Sequence, residues 1–174
     1  MKKFISILSV AFLATVFFTA CGGNGPTTDE GVLINGVKWA TRNVGSAGTF
    51  VKSPQDFGNY YTWEQAQTAC PSGWRLPTKL EFESLISAGS ALGKLNGKEG
   101  NKFGDANKNI FLPSAGWCWF NDNTFYVVGS VGYYYSSTEI ENDSELTYTL
   151  CFSQNTEFAE FSKAYGFPVR CVKE

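Results

Sequence analysis

Residues 60–85, YYTWEQAQTACPSGWRLPTKLEFESL, constrain the fold of this chain more than any other stretch. Thr62 with Gln65, and Thr78 with Glu81, have capping-box spacing. In such a box the threonine oxygen accepts an exposed first-turn N–H and the residue three places on reaches back. Trp63, Ala66 and Cys70 recur at helical spacing, which sets an aromatic, a small residue and a thiol on one inward face. Pro71 stops that helix, Gly73 permits a reversal, and Pro77 holds Leu76 extended before the second helix begins. Leu80, Phe82, Leu85 and Ile86 then form an apolar face. Cys70 therefore ends one helix close to the start of another and calls for a partner.

The chain opens with Lys2 and Lys3 before an apolar run over residues 4–20, the pattern of a secretory signal. Ser6, Ser9, Thr15 and Thr19 interrupt it, and it falls short of the roughly 20 apolar residues of a membrane-spanning helix. Phe18-Thr19-Ala20-Cys21-Gly22-Gly23 resembles a bacterial lipobox, with Phe18 where leucine is usual. The resemblance implies that Cys21 becomes a lipid-bearing (palmitate-type) N-terminus on an outer-membrane lipoprotein of the cell envelope, exposed at the cell surface in one version of this reading. The alternative is a plainly secreted chain with a free Cys21. Residues 22–31 carry Gly, Asn, Pro, Thr and two acids, and read as a flexible tether. The organisation is thus signal 1–20, tether 21–31 and one domain over 32–174. Removing Lys2 and Lys3 from 14 basic residues leaves 12 against 16 acidic ones, and no basic stripe marks a nucleic-acid surface.

Within the domain, Asn35-Gly36 between two apolar runs is a hairpin signal. Residues 45–58 and the glycine-rich residues 89–108 read as loops, the second long enough to be functional. From Ile110 onward the text is strand-like, with turns at 121–123, 139–144 and 155–156. Hairpin, two helices, long loop and antiparallel strands make an α+β order.

With Cys21 set aside, Cys70, Cys118, Cys151 and Cys171 remain, and an even count in an exported chain favours disulfides. Three pairings are open. The preferred one is Cys70–Cys171, tying the helices to the last strand, with Cys118–Cys151 between strands; the alternative for either is a pair of packed thiols. The chain has no His and no CxxC, which excludes imidazole zinc sites and Ser-His or Cys-His catalysis.

Four motifs, NYYTWEQAQTACPSGWRLPTKLEFESL, FLPSAGW, GYYYSST and GFPVRCVKE, resemble in order the Fibrobacter succinogenes major paralogous domain of exported, often lipid-anchored proteins of Bacteroidetes and Fibrobacteres. The resemblance spans about residues 34–173. It implies a C-type-lectin-like fold related to the formylglycine-generating enzyme domain, and supports Cys70–Cys171 by a helix-to-final-strand pairing. Tyr135 stands where the family usually has Trp, and Cys118 and Cys151 are additions to its pattern. A copper cysteine pair, as the enzyme relationship would imply, needs two thiols close in sequence, and Cys171 has no such neighbour.

Function is read as binding. Among 15 Phe, 8 Tyr and 5 Trp, some rings must lie outside the core, and in a strand Tyr134 faces away from Tyr133 and Tyr135. Trp119 and Phe120 beside Asn121, Asp122 and Asn123, with Glu139, Glu141 and Asp143, form the candidate ligand site for a glycan or a surface protein. Packing is the competing role for any one of these rings, and solvation for the acids. Calcium is a candidate ion, because Asp105-Ala106-Asn107-Lys108-Asn109 echoes the start of an EF-hand loop, although Ile110 replaces its glycine. No other cofactor is implied. The other functional classes are a structural or adhesive assembly subunit and, behind it, a glycan-active enzyme using paired carboxylates. Arg75 and Arg170 read as structural, Arg75 by pinning the connector through backbone carbonyls.

Overall fold

Both capping boxes form in the computed structural model, which describes residues 25–174; the signal segment, Cys21 and residues 22–24 lie outside the described residues. Thr62 Oγ1 accepts from Gln65 N at 3.4 Å while Thr62 N donates to Gln65 Oε1 at 3.0 Å. Thr78 and Glu81 repeat this at 3.2 and 2.8 Å. The helices they start are short: α1 is Trp63–Ala66 and α2 is Lys79–Ser87. Pro71 cannot donate the bond that would extend α1 toward the connector. Arg75 closes that connector, donating to Leu76 O at 3.2 Å and as a fork to Glu81 at 2.8 and 2.6 Å.

The rest is β. Strands β1 (Val32–Ile34), β2 (Val37–Asn43), β3 (Tyr60–Tyr61) and β4 (Trp74–Arg75) surround α1, and after α2 come β5 (Ser90–Leu95), β6 (Lys98–Gly104) and β7 (Asn109–Pro113). The short pair β8 (Trp117–Trp119) and β9 (Thr124–Tyr126) precedes the longest strands, β10 (Gly132–Ile140), β11 (Asp143–Phe152) and β12 (Thr156–Ser162). β13 (Phe167–Pro168) and β14 (Arg170–Lys173) close the chain. All pairings are antiparallel, in sheets β1-β2-β14-β4, β5-β6-β7, β10-β11-β12, β13-β3 and β8-β9.

This overturns the expectation of an α+β, C-type-lectin-like domain: the described chain is 49% strand and 9% helix, in several small antiparallel sheets. The main reason lies in residues 89–108, expected as a long loop. They form the hairpin β5–β6, turning at Asn96 (φ +48°) and Gly97 (φ +80°), and β6 continues onto β7. Asn-Gly is the two-residue turn that suits the twist of paired strands. Gly100 lets the strands close, since a Cβ there would collide with Leu112 O and the Phe111 ring.

The expected tether also changes. Residues 25–31 lie along β2: Phe50 N donates to Pro26 O at 2.7 Å and Arg42 Nη2 to Thr28 O at 2.5 Å. The side chain of Asp29 is fully buried and accepts from Gly31 N, Thr41 N, Thr41 Oγ1 and Arg42 Nε at 2.8–3.1 Å. One buried carboxylate satisfying four donors orders a segment that has no apolar side chain to bury.

Two hydrophobic clusters share the strands between them, because alternate residues face opposite sides. Ala40, Tyr135 and Cys171 belong to the first; their chain neighbours Trp39, Tyr134 and Val172 belong to the second. Cys70–Cys171 is bonded, with Cα atoms 6.1 Å apart at a sequence separation of 101. The expected Cys118–Cys151 bond is absent, and both thiols are buried and free. Cys118 faces Phe125 and Gly166 on β8, whereas Cys151 lies on the central strand β11 between Tyr133 and Glu157, in another sheet.

Replacing Cys70 and Cys171 by Ala should cost about 2–5 kcal/mol in urea unfolding, the range for a native crosslink closing a loop of this length. Asp29 makes a pH-dependent contribution. Burial pushes its carboxyl up, but the bonds from Thr41, Arg42 and Gly31 together outweigh burial and hold it below 3.8. Its stabilisation is therefore present above the ordinary aspartate value and lost as pH falls through the lower folded value. Asp29→Asn should lower stability by about 2 kcal/mol at pH 7, and the gap to the native chain should shrink below pH 4. An unchanged gap at low pH would contradict this account of the strap.

Candidate functional site

The residues singled out from sequence fall at three places. Trp119 is half-buried on β8, its ring edge-on to Tyr165 with centroids 5.3 Å apart. Trp117 is more enclosed, stacked on Tyr126 at 4.2 Å and against Tyr165 at 4.7 Å. Phe120, 38% exposed, lies over Gly166, where a Cβ would meet its ring at 2.8 Å. Asn121, Asp122 and Asn123 make the β8–β9 turn: Asp122 Oδ1 accepts from Thr124 N at 2.9 Å, and Asn123 has φ +56°.

The acids of residues 139–144 are mostly strand residues, because β10 and β11 meet in a two-residue turn, Glu141-Asn142. Glu139 pairs with Lys163 at 3.0 Å, and Lys163 Nζ lies 4.2 Å over the Trp63 ring. Asp143 Oδ1 accepts from Glu145 N and Leu146 N, shaping the turn, and Glu141 is exposed. Residues 163–165 link the two groups, Lys163 holding Glu139 and Tyr165 holding Trp119. Asp105 makes the β6–β7 turn, its Oδ1 accepting from Asn107 N and Lys108 N at 2.7 Å. The echo of an EF-hand is thus accounted for by turn chemistry, and among the described residues no group of three or more carboxylate or thiol side chains is placed to hold a metal.

A concave surface occurs elsewhere. A cleft of about 250 Å³ lies on the open end of one face of β10-β11-β12, floored by Cys151 and Ala159, walled by Tyr133 and Phe161, and rimmed by Asn155 and Glu157. Cross-strand register puts these on one face: Tyr133 opposite Cys151, Cys151 opposite Glu157, Thr149 opposite Ala159 and Thr147 opposite Phe161. A second cleft of about 410 Å³, between the β5–β6 hairpin and the β11–β12 turn, is lined by Leu92, Glu99, Ser114, Ser130 and Gln154. The two are adjacent, with Val131 and Ser153 lining both.

Tyr133 is held by its neighbours, stacked on Phe167 at 5.3 Å and edge-on to Phe161 at 5.2 Å. Burial pushes its phenol above the ordinary range. Burial, then the Glu157 carboxylate, pushes the Cys151 thiol up to about 12. Burial, then Asp122, also raises Cys118. Both shifts disfavour the thiolate near neutral pH, and the thiolate is the reactive form. Glu99 is paired with Lys94 at 2.5 Å. The groove therefore offers ring surface flanked by amide, hydroxyl and carboxylate groups, which suits holding a hydroxyl-rich chain.

Sequence reading found Tyr133 only as one of three tyrosines and missed Asn155, Glu157, Ala159 and Phe161. No periodic signal marks them, because TEFAEFS places apolar and acidic residues on both faces of β12. A Cys21→Ser chain unfolded in guanidinium without reductant should show two thiols to Ellman's reagent, while the folded chain at pH 8 should be alkylated by iodoacetamide far more slowly. Zero thiols after unfolding would mean that Cys118 and Cys151 are bonded after all.

Comparison with curated proteins finds no match, and neither does comparison with solved structures. The model of the Fibrobacter succinogenes major domain (Fib_succ_major) matches residues 31–173, nearly the whole described chain from the strap to the end of β14. The chain therefore belongs to the Fibrobacter succinogenes major domain family.

Proposed function

We propose that this chain is a cell-envelope lipoprotein, anchored at the outer membrane through Cys21, whose β domain is a non-catalytic glycan-binding module working through the groove between β5–β6 and the β10-β11-β12 sheet. The observation that carries the reading is the adjacency of the two open clefts, which share Val131 and Ser153 and together offer a surface suited to several sugar units rather than a single small molecule. Tyr133 and Phe161 supply ring surface for sugar C–H faces, and Gln154, Asn155 and Glu157, all exposed, supply donors and acceptors at the rim. Binding is favoured over catalysis because Glu99 is ion-paired and Cys151 is held as a thiol.

One observation favours a second reading, assembly with another surface protein. On and after β9, Phe125, Tyr126, Val127 and Val128 are 54%, 39%, 46% and 42% exposed. Val127 has φ +46°, a left-handed conformation that a β-branched residue rarely adopts. Strained, exposed apolar residues of this kind collect at contact sites.

A glycan array, screened with calcium and with chelator, separates the two. Groove binding predicts that Phe161→Ala and Glu157→Gln each lower the apparent affinity at least tenfold for whatever glycan is captured, with Trp119→Ala within twofold of the native chain. Loss confined to Trp119→Ala would move the site to the β8–β9 hairpin. Absence of binding to every glycan in both conditions would overturn the glycan reading and leave the apolar hairpin as the surface to probe.

A further inference from the structure

The first described residues are held against the domain rather than hanging from it. Pro26 O accepts from Phe50 N, and a Cβ at Gly25 would meet Phe50 O and, at 2.9 Å, Thr49 Oγ1. Gly25 is therefore seated on the loop that carries Thr49 and Phe50. Thr28 O accepts from Arg42, and Asp29 is buried under four donors. Only Gly22, Gly23 and Asn24 separate Cys21 from this strap. Four backbone steps span at most about 14 Å, whereas a chain free as far as Val32 would span up to about 39 Å over eleven steps.

We infer that the domain is apposed to the bilayer that anchors it, with the loop of residues 46–50 turned to the lipid headgroups, and that the strap's hydrogen bonds set this short reach. The inference rests on lipidation of Cys21. With Cys21 at the membrane surface, Gly25 lies within about 14 Å of it, and Ser46 and Ala47 are exposed residues of the loop on which Gly25 is seated. A ligand in the groove must then come within one domain's reach of the membrane. A long-tethered binder could instead engage targets well beyond the surface.

The test is energy transfer. The full chain, processed in the cell and carrying Ala47→Cys labelled with a short-range donor dye, is reconstituted in phosphatidylethanolamine–phosphatidylglycerol vesicles containing a headgroup-linked acceptor. The other thiols are either bonded or buried. Strong transfer is expected, falling at least twofold when twenty Gly/Ser residues are inserted between Gly22 and Gly23, a change that leaves the described domain untouched. Asp29→Ala, which removes the acceptor for four donors, should lower transfer in the same direction. Equal transfer with and without the insertion, in a chain whose Cys21 carries acyl groups by mass spectrometry, would overturn apposition alone. A Cys21 without acyl groups would overturn the lipoprotein reading and this inference with it.

Discussion

The guanidinium of Arg170 is the interaction on which the arrangement of sheets depends. It is 1% exposed, and among the described residues none of the ion pairs includes it. Its Nε donates to Asn43 Oδ1, one terminal nitrogen to Ala40 O and the other to Phe111 O, each at 2.9 Å. Those acceptors belong to β2 and β7, so one side chain on β14 fastens two sheets at a single point. Burial pulls its pKa down to about 10, eased by the Tyr134 hydroxyl, and the group still remains charged at neutral pH. A buried cation is tolerated only where its donors are met, and a planar fork with fixed directions meets three separated oxygens better than a lysine ammonium would. The Tyr134 hydroxyl extends the network, accepting from Asn43 Nδ2 at 3.1 Å and donating to Pro113 O at 2.9 Å.

The residues around Arg170 gather the remaining constraints. Cys171 carries the bond to Cys70, while Val172 faces the other cluster. Val172 pairs with Trp39 on one side and with Arg75 on the other. Arg75 in turn is forked to Glu81, the capping residue of α2. Three successive residues of the last strand thus determine where β2, β7, the Cys70 connector and α2 sit. Because β14 follows the other described strands of this domain, none of these contacts is available until those strands have been made.

What could be read from sequence was what depends on few residues. The capping boxes at Thr62 and Thr78 formed because each is a contact over three positions. Asn35-Gly36 turned a hairpin because that turn is set by two residues. Asn96-Gly97 carried the same information and went unread: strands β5 and β6, SALGKL and KEGNKFG, lack the alternation that marks a half-buried strand. Their order comes from β7, whose NIFLP supplies the buried side chains. The strap at 25–31 failed for a related reason. Composition measures how much apolar surface a segment can bury, and the strap is ordered by one buried carboxylate. Cys118 and Cys151 were expected to pair because both read as strand residues, and only three-dimensional placement shows them in different sheets.

The groove was illegible because its residues do two jobs. On one face of β10-β11-β12, the row Tyr135, Thr149 and Ala159 runs from buried core to cleft floor, and the next row, Tyr133, Cys151 and Glu157, runs from stacked ring to exposed acid. The face is a core wall at one end and an open cleft at the other, without any change in pattern along β10 or β11. That continuity has a physical consequence for recognition. Tyr133 is stacked on Phe167, which packs in turn against Tyr135 at 4.5 Å, so a wall of the groove is positioned by the core cluster that the disulfide encloses. A site built on strands and backed by packed rings keeps its geometry in the absence of ligand. On the glycan-binding reading proposed above, such a site would spend little ordering entropy on binding, an economy that shallow grooves over exposed polar groups need to hold a flexible chain.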